Sequence, residues 1–395
     1  MNTLRLKKSE DRRIRAGHAW IFSNEINVKE TPLKGLPTGE LARIESANGR
    51  FLGTAYVNPA SLICGRMLSS NVLTELDQAF FSRKIEKALA LREAFYSTQC
   101  YRLVYGESDG LPGLVVDRYG DYLVIQIGTA GMEKQRESIV AALLEVLKPK
   151  GILLRNNGDA RGMEGLERYV SVAYGEIPEP VLVTEGDCQF QVSLTKGQKT
   201  GWFYDQCSNR QQLALWSKDK EALDLFCYVG AWGVQMAKSG ARSVLCCDSS
   251  GDAIARVKSN AELNGVSDRV QTEKKDAFLL LKRLHEQEKM FDVINLDPPA
   301  FIKSKKDKKA GFEAYQRVNN QAMRQLRDGG LFVSSSCSYH LEEAELVQMV
   351  RRAAQKLGKT AQIIAMGNPS PDHPVAPSIR ETRYLKTVFA RVIEL

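Results

Sequence analysis

The second half of the chain alternates short apolar runs with longer stretches of helical period. Residues 222–227, 243–248, 269–272, 291–296 and 330–335 are apolar runs of strand length. Near 231–239, 251–263, 275–286, 312–327 and 341–357, apolar positions recur every three to four residues, which predicts helices. Strand and helix alternating in this way imply right-handed crossovers and a doubly wound, mostly parallel sheet. Two further strand candidates, 362–364 and 385–392, follow Gly358 and predict a terminal antiparallel strand.

The first half has a different pattern. Residues 41–45 and 51–57 alternate around the turn signal Asn48-Gly49, and 61–68 is a further run, which predicts a small β-rich domain. A helix is expected from about Asp77 to Phe95, with Asp77 as N-cap and Phe81, Ile85, Ala88 and Leu89 on one face. Strands at 101–105, 114–117, 122–127 and 152–154, with a helix near 132–147, predict a central α+β unit. Pro178 and Pro180 mark a linker, and a strand at 190–194 leads into the last region. The predicted division is 1–72, 73–180 and 181–395, an α/β protein with a β-rich domain in front and an α+β domain between.

Composition narrows the picture only slightly. The 395 residues are 43% hydrophobic and 26% charged, ordinary for a globular protein, and no apolar run is long enough to span a membrane. The N-terminal residues lack the apolar core of a signal peptide. Eight cysteines occur without a CxxC pair, which predicts reduced thiols, and the four histidines have no zinc-site spacing, so no metal is expected. Fifty-five Lys and Arg against 47 Asp and Glu give a net charge of +8, compatible with a polyanionic partner. Basic residues cluster at Arg5–Arg15 and at Lys303, Lys305, Lys306, Lys308 and Lys309. Either cluster alone could be a solvated face, but the second directly follows a chemically suggestive turn.

That turn is Asp297-Pro298-Pro299-Ala300-Phe301, at the end of the run 291–296. Ser336-Cys337-Ser338 ends the run 330–335. Groups at the carboxyl ends of parallel strands line the ligand crevice of such sheets, so a carboxylate and a thiol are expected to face one pocket. Upstream, Tyr228-Val229-Gly230-Ala231-Trp232-Gly233 resembles a nucleotide-binding turn but lacks the first glycine of a dinucleotide triple. S-Adenosylmethionine has no phosphate and tolerates a looser turn. Asp248 follows Gly230 by 18 residues and suits ribose hydroxyls, while Asp276 and Ala277 could hold the adenine. Either aspartate could instead cap the helix after it.

The thiol suggests a reaction. Cytosine C5 is a poor nucleophile until a thiolate adds at C6, whereupon C5 can take a methyl group from a sulfonium. Cys337 is the candidate nucleophile and Asp297 the candidate partner of the base edge, with Pro298, Pro299, Phe301, Lys303 and Lys305 around the substrate. The proton acceptor is left between His340 and a water. A buried strand-end thiol is the competing reading of Cys337, and a surface residue that of His340.

At these residues the chain resembles the PUA-domain-containing ribosomal RNA large subunit methyltransferase I family, S-adenosylmethionine-dependent rRNA cytosine-5 methyltransferases. His18-Ala19-Trp20-Ile21-Phe22 resembles the opening of the PUA-type domain, Gly106–Leu114 the central hairpin, and Asp372-His373-Pro374-Val375 a C-terminal signature. Lys199-Thr200-Gly201-Trp202-Phe203-Tyr204-Asp205-Gln206 resembles the family segment that reaches the cofactor, and Phe226-Cys227-Tyr228-Val229-Gly230 its glycine turn. The resemblance implies a PUA-like RNA-binding domain and a Rossmann-like class I methyltransferase domain. It also implies Lys199, Thr200, Gly201, Asp205, Gln206, Phe226 and Tyr228 as cofactor residues, along with Asp297. Its expected substrate is large-subunit (23S) rRNA, in the cytoplasm and away from membranes; a homodimer is left open. Cys207 stands where the family usually has arginine, and Ala19 where proline is common. Two alternatives stay open: methylation of an exocyclic amine or purine through the same Asp-Pro-Pro turn without an adduct, and a non-catalytic ribosome-assembly factor.

Overall fold

The computed structural model describes residues 1–73 and 75–394, which form two compact units. The first comprises Met1–Val181, Ser193–Trp202 and Pro371–Thr382, and the second Leu182–Val192, Phe203–Ser370 and Arg383–Leu395. The chain thus leaves the second unit twice, which a single division at residue 181 does not express.

The first unit contains two five-stranded sheets. The N-terminal one uses β1 (Asn2–Arg5), β2 (Trp20–Phe22), β3 (Leu41–Glu45), β4 (Phe51–Val57) and β5 (Ile63–Ser69), in the order β1-β3-β4-β5-β2, with helix α1 (Asp11–Arg15) between β1 and β2. The strands β1 and β2 and helix α1 are too short to stand out in the apolar pattern. Helix α2 (Gln78–Phe95) follows; Asp77 caps it by accepting from Phe80 N at 2.8 Å, and Phe81, Ile85 and Ala88 face inward.

The second sheet of this unit holds β6 (Cys100–Tyr105), β7 (Leu114–Tyr119) and β8 (Tyr122–Ile127), then β9 (Gly151–Asn156) and β10 (Tyr169–Gly175). The helix expected near 132–147 is split at Gln135 into α3 (Ala130–Lys134) and α4 (Arg136–Leu147), and α5 (Ala160–Met163) follows β9. Both sheets contribute to one core, in which Tyr56 and Leu68 pack with Phe81, Leu103, Ile125 and Ile139. The late segment is fastened here too: Arg92 Nη2 donates to Asp372 O at 2.7 Å, and Asp372 Oδ2 accepts from Arg102 N at 2.9 Å.

The second unit opens with a hairpin of β11 (Val181–Glu185) and β12 (Cys188–Val192), the latter two residues earlier than the strand expected at 190–194. Asn260 and Asn264, one helical turn apart, accept from Gln191 N and Gln189 N respectively and so satisfy the free edge of β12. Helix α6 (Cys207–Leu215) leads to a seven-stranded sheet. Its elements run β13 (Glu221–Leu225), α7 (Ala231–Lys238), β14 (Ser243–Asp248), α8 (Gly251–Leu263), β15 (Val270–Lys274), α9 (Ala277–Glu286) and β16 (Phe291–Leu296). Next come α10 (Lys308–Met323), β17 (Leu326–Ser336), α11 (Glu343–Gln355), β18 (Lys359–Gly367) and β19 (Lys386–Glu394).

The sheet order is β15-β14-β13-β16-β17-β19-β18. The first five strands are parallel, and β19 runs antiparallel between β17 and β18. Its central strands are buried on both faces, the burial that continuous apolar runs require. Helix α11 shows the other pattern: Leu346, Met349, Val350, Ala353 and Ala354 are buried on one stripe. Helix α10 begins four residues before the expected start at 312, so Lys308 and Lys309 form its first turn. Among the described residues, no helix is long and apolar enough to cross a membrane.

Candidate active site

The carboxyl ends of β13, β14, β16 and β17 carry the chemistry of the second unit. After β13 the chain enters three left-handed residues: Phe226 (φ +62°), Tyr228 (φ +49°) and Gly230 (φ +86°). Two of them are not glycine, a backbone strain that persists only where the surroundings hold it. Here Cys227 N donates to Cys247 O at 3.0 Å, Tyr228 N to Asp248 Oδ2 at 3.0 Å and Gly230 N to Cys227 O at 2.8 Å. A Cβ on Gly230 would lie 3.0 Å from Val257, and one on Gly233 2.3 Å from Cys246 Sγ, so α7 sits tightly against β14.

These bonds test which cofactor suits the turn. Three of its N–H groups are already engaged within the protein, so it does not offer the nest of donors that a pyrophosphate needs. The ionisable groups nearby are carboxyls. Burial pushes Asp224 up to about 7, and the carboxylates of Asp297 and Asp248 add to that rise. Burial likewise raises Asp297, with Asp205 adding to it. A cluster of carboxyls without a phosphate cradle fits a cationic nucleoside such as S-adenosylmethionine, and Asp248 stands at the end of β14.

The two helix-capping readings separate. Helix α8 is capped by Ser250, whose Oγ accepts from Ala253 N, while Asp248 accepts from Ser250 N and Tyr228 N. Asp276 is itself the N-cap of α9, accepting from Phe278 N at 2.9 Å and Leu279 N at 3.2 Å; Ala277 behind it is buried.

Asp297 has both oxygens engaged. Oδ1 accepts from Gln206 Nε2 and Oδ2 from Trp232 Nε1, each at 3.0 Å. These neutral donors fix the carboxylate without supplying a counter-charge. Gln206 belongs to a short turn, Tyr204–Gln206, whose Asp205 is buried and accepts from Tyr384 Oη. Cys207, at the start of α6, is buried, and its sulfur accepts from Gln211 Nε2 at 3.5 Å. Nearby Arg210 forms a buried ion pair with Glu185 and also bonds Phe203 O.

Lys199, Thr200 and Gly201 belong to the first unit. Thr200 is fully buried there; its hydroxyl donates to Asp117, and Tyr119 Oη donates to Thr200 O at 3.1 Å. Trp202 is buried in the same segment.

Cys337 follows β17 and is half-exposed, whereas the other seven cysteines are buried. Burial pushes Cys64 and Cys247 up to about 12 and Cys188 to about 11. The Cys337 segment is bonded to the Asp-Pro-Pro segment. Tyr315 Oη on α10 lies 3.0 Å from Ser338 Oγ, accepts from Ser336 Oγ at 3.0 Å, and reaches Pro299 O at 3.5 Å; Ile302 N donates to Ser338 Oγ at 3.2 Å. Phe301 packs on Tyr315 with ring centroids 4.8 Å apart and edge-on to Phe226 at 6.4 Å. Pro298 is buried and Pro299 exposed, while Lys303 and Lys305 project into solvent. His340 is half-buried against the Tyr339 ring.

Four participants are not singled out by the sequence pattern. Trp232 lies inside the quoted glycine turn but carries no signal of its own, and Asp224 and Tyr315 are hidden in elements assigned to the core. Lys386 heads a strand whose next residues, Thr387-Val388-Phe389-Ala390, are buried, and it is itself 6% exposed.

Comparisons with known proteins agree with this layout. Residues 4–70 match the model of a PUA-like domain and 217–389 that of a methyltransferase domain. A methyltransferase domain preceded by a PUA-like domain defines the class of protein. Across 98% of its length the chain is 36% identical to the ribosomal RNA large subunit methyltransferase I of Shewanella amazonensis, covering 99% of that protein. It is also 36% identical, over 98% of both chains, to the protein of that name from Aeromonas hydrophila. The chain belongs to the ribosomal RNA large subunit methyltransferase I family. Among solved structures, one described as a SAM-dependent methyltransferase from Streptococcus mutans shares its fold, with TM-score 0.84 and 22% identity over 99% of this chain and 100% of that one. Another of similar fold, TM-score 0.85, is described as a methyltransferase complexed with SAH; it is 22% identical, over 99% of this chain and 100% of that one.

Proposed function

We propose that this chain methylates C5 of a cytosine in large-subunit (23S) ribosomal RNA in the cytoplasm, through a covalent adduct of Cys337. The observation that carries the reading is the placement of this one half-exposed thiol, bonded through Ser338 and Tyr315 to the Asp-Pro-Pro turn. S-Adenosylmethionine, when bound, supplies the electrophilic methyl group. The turn at Phe226, Tyr228 and Gly230 would hold it together with Asp248, with Asp205 and Gln206 near Asp297.

The residues of the chain divide the remaining work. The Cys337 thiolate adds to cytosine C6 and makes C5 electron-rich. Asp297, held rigidly by Gln206 and Trp232, accepts from the exocyclic amine and orients the ring. Phe301 offers an aromatic face, and Lys303 and Lys305 meet phosphate. After methylation, His340 or a water removes the C5 proton, and the thiolate departs as the double bond re-forms. The target base has to leave its stack to reach the thiol, a step that RNA contacts by the PUA-like domain would support.

A mechanism-based trap tests the reading. RNA carrying 5-fluorocytidine has no C5 proton to lose, so incubation with S-adenosylmethionine is expected to leave a denaturation-resistant protein–RNA adduct at Cys337, read by peptide mass spectrometry. Methylation of unmodified RNA with no trapped adduct would overturn the reading in favour of an exocyclic amine or purine target. Failure to bind S-adenosylmethionine would favour an assembly factor.

A further inference from the structure

The pairing of β17 with β19 brings a lysine to the thiol segment. Lys386 opens β19, and the register sets it opposite Ser336, the residue before Cys337. Its Nζ donates to Ser338 O at 2.6 Å and to Leu341 O at 2.5 Å, the carbonyls at either end of the segment that follows the thiol. A neutral side chain could serve as such a peg. A buried ammonium is costly unless something compensates its charge.

Two of the three neighbouring glutamates are paired with other cations: Glu343 with Arg383 at 2.8 Å and Glu345 with Lys308 at 2.9 Å, while Glu342 stands at the N-cap of α11. Among the described residues, no carboxylate lies within ion-pair distance of Lys386. Burial pulls Lys386 down to about 8; opposing that pull, Cys337 acts most strongly, followed by Glu342, Glu343 and Glu345. The phenol facing the thiol from α10, Tyr315, is raised by burial, and a charge on Cys337 raises it further. Tyr315 and the glutamates at the head of α11 are thus neutral or anionic groups. Lys308 and Arg383 are half-exposed and spent on Glu345 and Glu343, which leaves Lys386 as the buried cation bonded to the thiol segment, and a thiolate would be its counter-ion.

We propose that Lys386 is a positioning residue for Cys337, a buried cation that fixes the segment carrying the thiol and favours its thiolate at neutral pH. Its bearing on methyl transfer rests on the reading of Cys337 as nucleophile; its bearing on thiol ionisation does not. An unassisted thiol ionises near pH ~8.5, and a cation alongside lowers that value.

The test is the pH dependence of iodoacetamide alkylation at Cys337 in the full chain, followed by peptide mass spectrometry. Wild-type protein is expected to reach half-maximal rate at least one pH unit below about 8.5. In Lys386→Met the midpoint should rise by a unit or more, and methyl transfer at pH 7 should fall about tenfold, with recovery towards pH 9. Lys386→Arg, which keeps the charge, should retain the low midpoint. A wild-type midpoint at or above about 8.5 would overturn the assignment even if Lys386→Met does not fold, as would an unchanged midpoint in folded Lys386→Met. Full activity of Cys337→Ala alongside a lysine-dependent midpoint would sink the nucleophile reading and uphold the lysine assignment.

Discussion

The carboxyl edge of the seven-stranded sheet has two halves of opposite character. Around β13, β14 and β16 the buried ionisable groups are mostly acids: Asp224 is pushed up to about 7, and Asp297 is raised by burial and by the charge of Asp205, against the pull of Arg210, itself paired with Glu185. Around β17 and β19 the buried charge is a lysine whose strongest electrostatic partner is a cysteine. A sulfonium donor is a cation, and an activated thiol is an anion. On the proposed reading, one sheet edge would offer each reactant the charge it lacks, with the Asp-Pro-Pro turn where the halves meet. The Tyr315 and Ser338 hydroxyls bond the two segments to each other, so the division is electrostatic and not mechanical.

The comparison can be broken most sharply at the thiol. Cys337→Ala should lower methyl incorporation into rRNA by about 10³-fold or more, the scale of losing a nucleophile, while S-adenosylmethionine binding by calorimetry stays near wild type. A large loss of cofactor affinity would mean the halves are not separable. Next comes the boundary. Asp297→Asn turns an amide N–H towards either Gln206 or Trp232, and turnover should drop by about 10²-fold with a smaller effect on melting temperature.

On the acidic side, Asp248→Ala should weaken S-adenosylmethionine binding by roughly 10- to 100-fold, the value of hydrogen bonds to a charged group, and leave Cys337 alkylation unchanged. Unchanged affinity would remove Asp248 from the cofactor site. The smallest effect is expected at Asp276. If capping α9 is its main task, Asp276→Ala should cost about 1 kcal/mol in denaturant unfolding, with a change in cofactor affinity below about threefold. A tenfold loss of affinity would extend the acidic half to a third strand.

What the sequence revealed follows from burial. Strands β13, β14, β16 and β17 are covered on both faces and announce themselves as apolar runs, so the sheet and the residues at its strand ends were legible. Strand β10 is exposed along nearly its whole length and gives no such run. Asp297 and Cys337 could be placed just after strand ends because that position is a local property. Tyr315 and Lys386 act on a serine hydroxyl 23 residues away and a carbonyl 48 residues away, contacts that only the folded topology creates. Asp276 shows a different limit: capping and cofactor binding both ask for a carboxylate at the same place, and only the bonds to Phe278 N and Leu279 N show the cap being made.

The place of β19 in the sheet has a consequence for biosynthesis. It is the latest of the seven strands along the chain, yet it lies inside the sheet, with β17 on one side and β18 on the other. During translation, β13 through β17 and the thiol emerge first. A nascent chain stalled before residue 386 would hold the acidic half of the site and Cys337, but not the lysine, and one edge of β17 would stand open. Open strand edges invite wrong pairing, so the unfinished chain would be prone to mispairing and, on the proposed reading, would also lack the cation that activates its thiol. The two liabilities end with the same event, the insertion of β19.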